Sequence, residues 1–147
     1  MGAKGRRLET GPIIARAATS AALTQRCPDL ASWPQRWRYE HSDIAAGERI
    51  VQCFTPFLIY LLEQGRATKT FQRHRDHLWM LGGEIIRRLH EEPALKRKSV
   101  KTLLLQLIDD ECGPRIWPRI SEQQQVSFDA TCRKLYQFLT ANIKLPE

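Results

Sequence analysis

Between Phe57 and Leu89 the apolar residues recur at steps of three and four, and a single glycine divides the pattern in two. Phe57, Leu58, Leu61 and Leu62 make one stripe, and Phe71, Leu78, Leu81, Ile85 and Leu89 make another. That period belongs to amphipathic helices, because a strand would need alternation at every second residue. Gly65 supplies the C-terminal stop of the first helix, and Thr68 or Thr70 is placed to cap the second. The second should run to about His90, before Pro93 ends it. Gly82 and Gly83 interrupt it at a cost of roughly 1 kcal/mol each relative to alanine, which implies a close crossing or a bend.

The remaining segments read the same way. Ser42 is a fair N-cap for a helix whose face is Ile44, Ile50, Val51 and Phe54, and Pro56 fits the first turn of a renewed helix, giving either one kinked helix or two. Ser99 caps a helix with Val100, Leu103, Leu104, Leu107 and Ile108 on its buried side, stopped by Cys112-Gly113-Pro114. Ser121 opens a last helix with Val126, Phe128, Cys132, Leu135, Tyr136 and Leu139. No stretch reads as a strand. Of 147 residues 42% are hydrophobic, enough for one core and too few for two comfortable domains. The expectation is an all-α compact bundle of five to six helices over residues 42–147, preceded by a basic arm, residues 1–41. That arm holds an Ala-rich helical segment, Pro12 to Arg26, and a tryptophan-containing stretch.

Charge points to a class of partner. The net charge is +7 and the pI about 9.6, which draws the molecule to nucleic acid or another anionic surface. Residues 66–101 carry ten Lys/Arg against four acids, whereas 42–65 carry one against three. Arg66, Lys69, Arg73 and Arg75 crowd the start of the second helix, where the helix dipole favours anions, so the placement suggests an external phosphate. The bland alternative is a solvated polar face. Lys96, Arg97, Lys98 and Lys101 extend a positive surface if the fold brings the two groups together. In CPDLASWPQRWRYEH, Trp33, Trp37 and Tyr39 alternate with Arg36 and Arg38. Such interleaving can stack bases, but a tryptophan pair beside a proline reads first as a lid over the core.

Other chemistries find little support. Cys27, Cys53, Cys112 and Cys132 stand at least twenty residues apart, without metal spacing or the density of a disulfide scaffold, and read as reduced thiols. Cys53 and Cys132 fall within helical patterns as small buried hydrophobes. His74 and His77 with Asp76 between them lack a second ligand pair, and Asp109-Asp110-Glu111 point in different directions at a helix end. There is no nucleophile elbow, no Cys-His signature and no phosphate-binding glycine loop. Neither an enzyme nor a cofactor is expected. No apolar run is long enough to span a bilayer, the first twelve residues lack a signal-peptide core, and Arg6 stands where a myristoylation motif wants Ser or Thr, so a cytoplasmic protein is expected.

The order of residues also resembles a family. FLIYLLEQGRATKTFQRHRDHL is similar to the FxxYLxxxGxSxxTxxxYxxxLxxF opening of the core-binding, SAM-like N-terminal domain of tyrosine recombinases and phage integrases. SVKTLLLQLIDDECG and SEQQQVSFDATCRKLYQFLTAN resemble that domain's third and closing helices, so the likeness spans roughly residues 50–142. The resemblance implies a small helical bundle that clamps one side of duplex DNA, with contacts from Thr68, Lys69, Thr70 and Arg73. His74 stands where the family has tyrosine, the linker after Leu89 is longer and more charged, and no catalytic domain is present. The implied protein is a non-catalytic DNA-binding domain of a mobile element, tied to DNA recombination and unable to cleave a strand alone. Its DNA-binding residues would be Arg66, Thr68, Lys69, Thr70, Arg73 and Arg75, joined by Lys96, Arg97, Lys98 and Lys101. The competing expectation is a protein-interaction accessory of a mobile element, with a protein partner or a second copy of itself, in which Trp33, Trp37 and Trp117 form an apolar docking patch.

Overall fold

The computed structural model describes residues 20–65 and 67–144, with side chains to Ala141, so Arg66 lies outside the described residues. Among those residues the chain is all helical. The helices are α1, described over residues 20–26, then α2 (Trp33–Trp37), α3 (Asp43–Glu63), α4 (Thr68–Glu91), α5 (Val100–Leu107) and α6 (Glu122–Lys144). Short 3-10 turns at Leu30–Ser32 and Pro93–Arg97 lead into α2 and α5. No helix among the described residues is long and apolar enough to cross a membrane.

The long helices α3, α4 and α6 enclose the core with the stripes their sequences display. Ile50, Phe54, Phe57, Leu58 and Leu61 of α3 meet Phe71, Leu78, Leu81, Ile85 and Ile86 of α4, with Phe128, Cys132 and Leu135 from α6. The phenylalanines are fully buried, and truncating one to alanine in such a site costs about 3 to 5 kcal/mol. α5 adds Val100, Leu103 and Leu104. Pro56 leaves α3 one continuous helix, because core packing on both sides of it holds the chain in line. Gly65 takes φ +70°, a left-handed turn that L side chains avoid, and ends the α3 segment.

Caps follow local chemistry, with exceptions. Ser99 Oγ accepts from the Thr102 amide, and Ser121 and Gln124 bond reciprocally in a capping box. α3 has no side-chain cap: Ser42 holds the cap position unbonded, and the Asp43 carboxylate accepts from the Tyr39 and Glu40 amides of the preceding turn. α4 begins after Ala67 with no side-chain cap, so neither Thr68 nor Thr70 serves as one. The charged linker after α4 folds into the 3-10 turn at Pro93, and α5 ends at Leu107, short of Cys112, where Ile108 turns extended.

The described residues before 41, from residue 20 on, contribute to the same core. Leu23, Cys27, Trp33 and Trp37 are buried with the bundle's own side chains, so a boundary at 41 divides one packed unit. Trp33 and Trp37 form the expected lid, in ring contact with Trp79 of α4 at 5.6 Å from each. Trp37 Nε1 donates to the Trp79 carbonyl, 3.0 Å, and Trp33 Nε1 to Asp29, 3.0 Å, so both buried indoles keep their hydrogen bonds. Gly82 exists for this lid. A Cβ there would sit 2.2 Å from the Trp37 ring, so the first glycine of the pair admits an indole rather than a crossing helix.

Candidate nucleic-acid interface

α4 sorts its own residues by register. Its inward stripe is Phe71, Leu78, Leu81, Ile85 and Leu89, and the opposite side carries Lys69, Arg73, Asp76, Met80, Gly83 and Arg87 at steps of three and four. Lys69 and Arg73 are exposed and make no ion pair among the described residues. Further along, the stripe becomes the floor of an open groove of about 520 Å³. One wall is Arg36, Arg38 and Tyr39 from the end of α2, and the other is Ile116, Arg119 and Ile120 from the loop before α6.

A buried carboxylate organises the groove. Glu84 is 4% exposed and accepts from Arg87 Nε at 3.1 Å and Nη2 at 2.6 Å, Arg88 Nε at 2.8 Å and Arg119 Nη2 at 3.0 Å. Burial pushes its pKa up, but hydrogen bonds from Arg87, Arg88 and Arg119 outweigh that and hold it at about 2. Three guanidiniums around one carboxylate leave a local excess of positive charge, and they fix its geometry. Arg87 is further tied to Glu91 at 2.7 Å, and its own pKa is raised by these partners. Arg36 makes no hydrogen bond or ion pair among the described residues, and Arg38 donates only to the neighbouring Gln35 carbonyl. Tyr39, 55% exposed, stacks on His90 at 4.7 Å.

Of the ten cations and hydroxyls singled out from sequence, Arg66 lies outside the described residues and the other nine do not form one strip. Thr68 and Lys69 are exposed and Thr70 half-buried at the start of α4, with Arg73 one turn on. Arg73 and Glu91 at the end of α4 are eighteen helical steps apart, about 27 Å at 1.5 Å per residue. Lys96, Arg97, Lys98 and Lys101 come after that end, where Lys96 and Lys98 line a shallow pocket of about 100 Å³ with Arg49 and Ser42 of the α3 end and with Leu89. Leu89 points from α4 roughly opposite to Met80 and Arg87, so this second basic region also faces another way.

Arg75 has a different role from its neighbours. Its guanidinium pairs with Asp29, lies 5.6 Å over the Trp33 ring, reaches Asp76 at 3.0 Å, and its Nε donates to Cys27 Sγ at 3.3 Å. It locks the lid onto α4 and is no free cation. His74 and His77 turn inward, each with Nδ1 at 2.7 Å from Thr131 Oγ1, and burial lowers the His77 pKa. They are core residues shared between α4 and α6. Among the described residues no three His, Cys, Asp or Glu side chains are grouped to hold a metal, and the four cysteines are free. The tryptophan docking patch does not form, because Trp33 and Trp37 are core and only Trp117 of the three is exposed.

The chain matches no family model, no curated protein and no solved structure. What the site can do rests on its residues. Sequence reading missed Arg87 and Arg119 and did not join them to Arg36 and Arg38. A signal was present: WPQRWR and RIWPR each pair a Trp-Pro step with alternating arginines, and the fold sets these two segments on opposite sides of one helix face.

Proposed function

We propose that this protein is a non-catalytic DNA-binding domain that grips duplex phosphates along the outer face of α4. The observation carrying this reading is that arginines from three separate segments, Arg36 and Arg38, Arg87, and Arg119, meet in one open groove on the stripe that begins with Lys69 and Arg73. Cations on two walls of a groove focus potential where a strand can lie, and each phosphate neutralised releases condensed counterions. Bound Glu84 keeps part of this set rigid, so less side-chain entropy is lost on contact. The likeness of the Phe57–Leu89 pattern to the recombinase core-binding domain supports the same class. On this reading the protein works in the cytoplasm as an accessory of a mobile element, with DNA as its partner.

The test is a salt-titrated binding series against duplex DNA, single-stranded DNA and RNA. Reversing Lys69 and Arg73 to glutamate should weaken duplex binding by about 1 kcal/mol or more per lost contact and flatten the salt slope. Unchanged affinity in the double variant removes the α4 start from the interface, and duplex binding that is absent at low salt overturns the reading.

A further inference from the structure

Gly83 poses a question that packing does not answer. Its neighbour Gly82 is required, since a Cβ would collide with Trp37, but a Cβ on Gly83 would meet Trp37 atoms at 3.5 and 3.7 Å, ordinary contact. A mid-helix glycine is nonetheless less favourable than alanine by about 1 kcal/mol. Gly83 lies on the groove floor beside Trp79 and Met80, facing Ile116 and Ile120. Without a side chain there, the floor is a flat, largely apolar slot, and its volume of about 520 Å³ falls in the roughly 300–1,000 Å³ range typical of small-ligand sites. Cations stand at its edge: Arg36 is unpaired among the described residues, and Arg119 offers Glu84 one nitrogen while staying largely exposed. The exposed Tyr39 ring adds a stacking surface at the same rim.

We infer that the groove is a nucleotide pocket, taking one unpaired nucleobase on the floor over Gly83 and Met80 with its phosphate between Arg36 and Arg119. This deepens the reading of α4 as a nucleic-acid surface and rests on it. A duplex presents its bases paired and stacked, so phosphates alone would reach the arginines, whereas a strand end, gap or flipped base can enter. An apolar floor beneath arginines suits a planar ring joined to an anion. It suits a carboxylate side chain less, since an acidic peptide brings charge without a flat apolar body.

The experiment uses the full chain and four fluorescence-monitored probes at matched salt: a blunt duplex, a single-stranded oligonucleotide, a nucleoside 5′-monophosphate and an acidic peptide. Gly83→Leu fills the slot without altering charge, and Arg36→Ala removes an exposed cation that supports nothing in the fold. Both should melt like the parent. Gly83→Leu should lose about tenfold in affinity for the single strand and the monophosphate, the worth of roughly one stacked base, while duplex affinity stays within about twofold. Arg36→Ala should weaken both nucleotide probes severalfold. Monophosphate binding that equals the single strand marks a free nucleotide as the ligand, and single-strand binding far above it marks a strand; either supports the pocket. Nucleotide affinity unchanged in both folded variants overturns it, as does an acidic peptide that binds as tightly as the single strand and displaces it. Should the wild type bind single strands but no duplex, the proposed function falls while the pocket stands; duplex binding lost on Lys69→Glu/Arg73→Glu, with Gly83→Leu silent, gives the reverse.

Discussion

Two basic regions of this molecule carry similar charge and are built differently. In the groove over α4, arginines of α4 and of the loop before α6 hold the buried carboxylate of Glu84, and Arg36 and Arg38 line the same groove beside an apolar floor. At the corner formed by Lys96, Lys98 and Arg49, and at Lys101 in the first turn of α5, the cations are exposed and reach the solvent on long side chains, with Lys98 donating to Gln106 as its one bond to a side chain. The first region is part of the fold and has a shape. The second is a local excess of charge that follows from a lysine-rich linker. Net charge does not separate them, but attachment to the core does: fixed guanidiniums can select among anions, whereas free ammoniums attract any of them.

Glu84→Ala should have the largest effect, because it leaves three guanidiniums facing one another across the α4 face. We expect a loss of about 3 kcal/mol in chemical denaturation, at the low end for a broken buried ion pair because the arginines are partly exposed and can rehydrate. Triple replacement of Lys96, Lys98 and Lys101 is the control. A Glu84 variant as stable as the parent would make the two regions equivalent.

Acid sharpens the same contrast. Glu84 titrates at about 2 in the fold against 4.5 for a free glutamate, so the folded state binds its proton less readily. Its stabilisation is therefore complete above pH 4.5 and fades as pH falls toward 2. His77 acts the same way at higher pH: burial lowers its pKa below 6.5, and stability declines as pH drops through and below that value. Urea midpoints measured from pH 7 to 2 should show both limbs, and Glu84→Ala should erase the lower one.

The glycine pair gives the next effects in size, of opposite sign. Gly82→Ala drives a methyl into the Trp37 indole and should cost about 2 kcal/mol, as overpacking does. Gly83→Ala meets open space and ordinary contacts, so it should raise stability by up to about 1 kcal/mol through helix propensity. Equal effects at the two positions would deny the groove floor its separate status. Smallest of all, Lys96→Ala, Lys98→Ala and Lys101→Ala should each shift stability by no more than about 0.5 kcal/mol. Their combined replacement should reduce the salt slope of DNA binding only if that corner also touches the duplex.

Much of the fold was readable before any coordinates. The stripe from Phe71 to Leu89 foretold α4 within a residue of its end, Ser99 and Ser121 announced their helices, and Gly65 its turn. Local geometry decides such features, so local residues reveal them. Arg75 was misjudged for the converse reason: nothing near it in sequence shows that Asp29, Cys27 and Trp33 lie within reach. Ser42 holds the cap position of α3 without a side-chain bond, while the Asp43 carboxylate beside it turns back to the Tyr39 and Glu40 amides.

The amino-acid order alone determined that this chain would be helical, where its helices turn, which faces sink into the core, and that its middle would be rich in positive charge. Only the packing decided which of those charges meet. Arg36, Arg87 and Arg119 come from three stretches far apart in the chain, and they converge because a tryptophan lid and a loop settle on either side of one helix. Periodicity is a property of neighbours along the backbone, whereas convergence is set by how buried surfaces fit, and it is the second that turned scattered arginines into a groove.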